Sequence, residues 1–136
     1  MISRFSRLIA AAALSVCGAG AVAAGPELGG TTWRLMQLGP NGALDEAPAT
    51  LSFSKDGKVT GNGGCNTFEG TYTVSGMVLK FGPLTAGKRV CGEAANKQEA
   101  NLLKALEQTQ TFQLGATQLS INTKMWNEPI SFVHRQ

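Results

Sequence analysis

Histidine is almost missing from this 136-residue sequence, and that scarcity excludes several chemistries. His134 is the only one, so no histidine metal cluster can be built, and one histidine far along the chain from Cys65 is a weak sign of a catalytic nucleophile. Charge is sparse as well, and the nine acidic residues are scattered. Only Asp45-Glu46 stand together, in a polar run that reads as a solvated turn. Lys88-Arg89 reads as a solvated pair rather than an anion clamp. A Gly-Lys-Ser/Thr phosphate loop is absent. We therefore expect no catalysis, no cofactor and no metal.

Apolar runs are short. Leu8 to Cys17 is the longest, and a spanning helix needs roughly 20 residues. This run follows Arg4 and Arg7 and leads into Ala21-Val22-Ala23-Ala24. A basic start, a short apolar core and an A-x-A site describe a secretory signal peptide over residues 1–24. The mature domain is then 25–136, with no transmembrane segment. Leu14-Ser15-Val16-Cys17 resembles a lipidation site, but Val16 is larger than the residue that normally precedes a lipidated cysteine. Cleavage after Ala23 or Ala24 is expected, into the periplasm or the medium, with a lipid anchor on Cys17 as the alternative. Without Arg4 and Arg7, 10 of the 12 basic residues face 9 acidic ones, a net charge near +1. Such a domain has no electrostatic reason to bind nucleic acid or an anionic membrane. Its partner is expected to be a protein or an envelope component, and the domain itself a monomer.

Cysteine is nearly as scarce as histidine. Cys17 lies in the leader, which leaves Cys65 and Cys91. An even pair in an exported chain favours a disulfide. The competing reading is a free Cys65 thiol, activated by Lys88-Arg89.

What is plentiful is glycine, 17 residues in all. Four of them fall in Gly61-Asn62-Gly63-Gly64-Cys65-Asn66-Thr67-Phe68-Glu69-Gly70-Thr71-Tyr72. Glycine is favoured where no Cβ fits or where φ is positive, so this stretch reads as a reversal crossed closely by another segment. It is not a dinucleotide fingerprint, because a strand rather than a helix follows.

Around it the chain alternates with period two. Strands are expected at Thr32–Leu38, Thr50–Ser54, Lys58–Asn62, Phe68–Val74, Met77–Phe81, Phe112–Leu114, Leu119–Ile121 and Ile130–His134. Met77, Leu79 and Phe81 should share one face. Asp56-Gly57 and Ser75-Gly76 are hairpin turns. Residues 84–91 are either extended or a crossing loop. One helix is expected at Glu93–Gln108, with Ala95, Leu102, Leu103 and Leu106 as its apolar stripe and its polar positions in water. The fold class is mainly β: seven or eight antiparallel strands curled into a sheet or small barrel, with one helix that caps an opening or packs across a side. Phe53, Phe68, Tyr72, Leu79, Phe81, Leu119 and Phe132 should point inward and fill it.

These pieces resemble the META domain family, which includes the HslJ-type heat-inducible bacterial envelope proteins. The resemblance rests on Trp33-x-Leu35, Leu51-x-Phe53 and the run Gly61-x-x-Gly64-Cys65-Asn66-x-Phe68-x-Gly70-x-Tyr72. It extends through Leu79-x-Phe81, Cys91, Glu99-x-x-Leu102-Leu103-x-x-Leu106, Leu119-x-Ile121 and Ile130-x-Phe132. Before the second cysteine the family often has Thr, a basic residue, Met and a small residue. Here Gly87-Lys88-Arg89-Val90 keeps only the basic character. The resemblance implies a small antiparallel β-barrel-like domain with one helix. It associates the chain with the envelope and stress, and it implies no enzymatic activity. Three roles are consistent with this: a non-catalytic envelope binding or stress module, an apolar-ligand carrier using the barrel interior, or an inhibitor of a secreted hydrolase. The last would need a rigid protruding loop, for which Gly39–Pro48 and Met125–Pro129 are the sequence candidates.

Overall fold

The computed structural model describes residues 27–135. The expected signal peptide and Cys17 lie outside the described residues. The elements are β1 (Thr31–Leu38), β2 (Asn41–Gly42), β3 (Thr50–Phe53), β4 (Lys58–Asn62), β5 (Thr67–Ser75), β6 (Val78–Phe81), β7 (Thr85–Ala86), α1 (Glu93–Glu107), β8 (Thr109–Leu114), β9 (Gln118–Thr123) and β10 (Ile130–His134). Eight of these strands form a closed antiparallel barrel in the order β1-β3-β4-β5-β6-β8-β9-β10, and β10 pairs back onto β1. Closure gives every barrel strand a neighbour on each side, with β6 and β8 meeting at one position. β2 adds a short hairpin to β1, and the two-residue β7, which follows β6 in the chain, pairs with β5.

Alternation in the sequence becomes inside and outside in the barrel. Trp33 and Leu35 of β1, Leu51 and Phe53 of β3, and Val59 of β4 are buried. So are Leu119 and Ile121 of β9, and Ile130 and Phe132 of β10. They join Phe68, Leu79 and Phe112 in one hydrophobic cluster. Large side chains thus occupy the interior, as expected for an eight-stranded barrel. Tyr72 and Phe81 are only partly buried at its margin. The Tyr72 ring meets Phe53 edge-on at 4.8 Å. Burial, with the charges of Asp56 and Glu27, raises the Tyr72 phenol pKa, so it stays a donor and bonds the Ser54 carbonyl at 2.6 Å.

Two expectations need correction, and a third, left open, is resolved. Met77 does not share the inner face of Leu79 and Phe81. It lies in the turn before β6 and is 45% exposed. The Gly39–Gly42 break contains β2, because Gly42 and Asn41 pair with Gln37 and Leu38. Residues 84–91 are extended at first, with Thr85 and Ala86 paired to Glu69 and Phe68.

The joints between strands are unequal. β1 and β10 pair at five positions from Trp33↔His134 to Leu38↔Ile130, with one bulge. β6 and β8 pair only at Val78↔Thr111. The chain leaves the barrel between those two strands and makes α1. The helix side chains reach the β4–β5 turn and the 43–49 segment, which connect strands at the same end. α1 therefore covers that opening, and Leu102, Ala105 and Leu106 complete the core beneath it.

Candidate functional site: the clamp beneath α1

Sequence reasoning placed the polar positions of α1 in water. Two of them are buried instead. Gln98 and Glu99 are each 6% exposed, whereas Ala95 and Leu103 of the expected stripe are only partly covered. The reason is the glycine stretch. A Cβ on Gly63 would lie 2.5 Å from Glu99 Cγ, so the helix rests directly on this backbone. Gly64 has φ +114°, and there a side chain would also meet Gln98. The close crossing expected from the glycines is present, and the crossing segment is the helix.

Each polar atom brought into this contact finds a partner. The Glu99 carboxylate accepts from the backbone N–H groups of Cys65 at 3.2 Å and Asn66 at 2.5 Å, and from Asn66 Nδ2 at 2.8 Å. Gln98 Nε2 donates to the carbonyls of Ala47 and Gly63, and its Oε1 accepts from the Leu44 N–H. Two adjacent helix residues thus tie α1 to two separate connections. Buried polar groups persist only when satisfied in this way. Two sequence signals pointed to Glu99: its place ahead of Leu102 in the motif, and its spacing of four residues from Ala95 and three from Leu102, which puts it on the buried stripe; its charge argued the other way.

The second face of the clamp holds the segment before the helix. Asn66 Oδ1 accepts from the Arg89 N–H at 2.8 Å, and Asn66 Nδ2 donates to the Arg89 carbonyl at 3.1 Å. Asn96 Nδ2 donates to the same carbonyl, and Asn96 Oδ1 accepts from the N–H groups of Cys91 and Gly92. Gly92 offers no side chain to cap α1, and Asn96 satisfies its amide from within the first turns. Cys65 and Cys91 are joined by a disulfide with a Cα–Cα distance of 5.7 Å, so the geometry has no free Cys65 thiol. Asn66 stands at the centre: the buried Glu99 carboxylate orients its carboxamide, and that carboxamide grips Arg89.

The remaining motif residues are scaffold. Gly61 of β4 lies opposite Phe68 of β5, and Gly70 lies opposite Val59. Phe68 is in the core and Tyr72 at its edge. Trp33 is core, and its ring meets His134 edge-on at 5.2 Å. Trp126 is partly buried and packs against Gly39. Asp45 and Glu46 are exposed, as expected. Among the described residues no group of three or more His, Cys, Asp or Glu is placed to hold a metal ion, and no helix is long and apolar enough to cross a membrane. The surface carries open grooves, one of about 450 Å³ lined by Arg34, Pro48, Thr50, Val133, His134 and Arg135.

The META domain family model matches residues 26–136. The chain belongs to the META domain family. No curated protein matches. Among solved structures, an NMR structure of a protein from Burkholderia xenovorans is 25% identical, with a TM-score of 0.64 over 88% of this chain and 96% of that one. A crystal structure of a DUF4847 family protein from Bacteroides vulgatus ATCC 8482 is 16% identical, with a TM-score of 0.59 over 79% of this chain and 94% of that one. The second likeness is one of fold alone. Both agree with the META barrel described above.

Proposed function

We propose that this META domain is a non-catalytic binding module, exported to the periplasm or the medium, that engages a protein or envelope component through a loop on a rigid barrel. The observation that carries the reading is the Cys65–Cys91 bond at the foot of the exposed 87–90 segment. Disulfides persist in oxidising compartments, and this one fixes a surface loop to the scaffold. Loops held on rigid frames are where binding residues concentrate. The side chains filling the interior weigh against the apolar-ligand carrier. A role in envelope stress is in keeping with the family resemblance.

Crosslinked pull-down of the exported chain from its own envelope fraction tests the reading. A specific adduct that maps to 87–90 is expected. Adducts only with barrel faces remote from this loop, or none above a scrambled control, would overturn it. Intact mass tests the export route. A chain starting at Ala24 or Gly25 is expected, and a diacylglyceryl mass on Cys17 would replace it with the lipid-anchored form.

A further inference from the structure

The segment Gly87–Val90 has an unusual combination of features. It runs on from β7 without a turn or bend, and Lys88, Arg89 and Val90 are all exposed. Val90 is 83% exposed, the most of any large hydrophobic residue described. An exposed loop of this kind is ordinarily mobile. Here its backbone is fastened on both sides of Lys88. The Gly87 N–H donates to the Thr67 carbonyl. The Arg89 N–H and carbonyl are both held by Asn66, and Cys91 is bonded to Cys65. Lys88 between them makes no backbone hydrogen bond to the described residues. An extended, preformed segment with one basic residue left free is the shape that a lysine- or arginine-specific serine endoprotease accepts in its cleft.

We propose that Lys88-Arg89 is a substrate-like inhibitory bond for a trypsin-like serine protease, with Lys88 in the specificity pocket. This rests on the reading of the chain as a non-catalytic exported binding module, and it names the partner. Arg89 does not fit the pocket position, because its carbonyl already accepts from Asn66 and Asn96. That carbonyl would have to face the oxyanion hole of the enzyme. No described residue donates to the Lys88 carbonyl, so it can take that place.

The clamp also accounts for inhibition rather than digestion. The enzyme serine adds to the Lys88 carbonyl carbon, and its proton passes through the enzyme histidine to the Arg89 nitrogen as the Lys88–Arg89 bond breaks. In an ordinary substrate the freed amine departs and water hydrolyses the acyl-enzyme. Here the leaving amine is the Arg89 nitrogen, which stays hydrogen-bonded to Asn66 Oδ1, with the Arg89 carbonyl on Asn66 Nδ2. Held in place, the amine reattacks the ester, the peptide bond re-forms and the serine recovers its proton. Because the loop is already ordered, binding loses little conformational entropy. If water does intervene, the two pieces remain joined through Cys65–Cys91.

The test titrates the oxidised exported chain against trypsin with a small chromogenic lysine substrate. Competitive inhibition is expected, and Lys88→Ala should weaken it by about 100-fold, as for a central anchor residue. Arg34→Ala, on β1, three strands around the wall from β5, should leave it unchanged. Prolonged incubation should nick only Lys88–Arg89, giving one band on a non-reducing gel and two after reduction. Asn66→Ala should raise the nicking rate at that bond by at least about tenfold if the leaving amine is no longer held. Should that variant fail to fold, Asn96→Ala, which removes one bond to the Arg89 carbonyl, replaces it. Absence of inhibition, inhibition unaffected by Lys88→Ala, or rapid digestion without inhibition each overturns the proposal. A loop-mapped envelope adduct with a partner other than a protease would overturn it too, yet leave the binding-module reading standing.

Discussion

The barrel is held shut differently at two places. Along the β1–β10 joint, five residue pairs from Trp33↔His134 to Leu38↔Ile130 close it by backbone ladder. Between β6 and β8 the ladder shrinks to Val78↔Thr111, supported by the Phe112 N–H bond to the Met77 carbonyl and the Lys80 contact with the Thr109 carbonyl. The adjoining end is sealed by α1 with side chains: Glu99 and Gln98 on the glycine turn, the Cys65–Cys91 bond, and Leu102 and Leu106 below. Backbone closure depends little on which outward side chain sits at each position. Side-chain closure depends on a few identities at fixed places. Substitutions of the clamping side chains should therefore be costly at the helix end, and substitutions of outward side chains nearly silent at the joint.

Glu99→Ala should break this contrast most severely. It removes the acceptor of three donors, two of them backbone amides that stay buried, so a loss of roughly 3–6 kcal/mol is expected. Chemical denaturation measures it, and a loss below about 1 kcal/mol would mean water replaces the carboxylate freely. Leu106→Ala comes next. Its side chain is fully buried, and a cavity there should cost about 2–5 kcal/mol. An unchanged melting curve would show that the helix is peripheral to the core.

Breaking Cys65–Cys91 by Cys91→Ser should cost about 2–4 kcal/mol, since the link spans 26 residues. Amide exchange sharpens this prediction. Protection should fall in 87–96 before it falls in β1 or β10, and uniform loss would dissolve the distinction between the two regions. The smallest effect is expected at the joint. Val133 faces outward opposite Arg34, so Val133→Thr should stay within about 0.5 kcal/mol of the parent. A shift as large as that of Cys91→Ser would show that the joint also relies on side chains.

The same division separates what could be read from the chain from what could not. Phe53, Phe68, Leu79, Leu119 and Phe132 announced the barrel interior, because inward and outward residues alternate along a strand and only one face can be wet; Tyr72 and Phe81, read with them, lie at its margin. Glycines at 61, 63, 64 and 70 announced a close crossing, and Asp56-Gly57 announced its hairpin. The helix and its limits followed from Leu102 and Leu106. The burial of Gln98 and Glu99 did not follow. On a helix, Glu and Gln read as solvent-facing, and nothing local to residues 98 and 99 reveals that amides from residues 63–66 will converge on them. For the same reason the loops at Gly39–Pro48 and Met125–Pro129 looked like better protrusions than 87–90, whose rigidity comes from Asn66 more than twenty residues earlier.

By itself, then, the sequence determined the strand pattern, most of the inward set, the single helix, the family and the pair Cys65 and Cys91. Each of these is local periodicity, a motif or a count. Tertiary structure alone decided that the ring closes through β1 and β10, that Glu99 is sealed against the glycine turn, and that Asn66 fastens Arg89 while leaving Lys88 free. Those outcomes depend on directional hydrogen bonds between groups distant in sequence. Such bonds have no period to read, and they exist only once the barrel has brought the two ends of the clamp together.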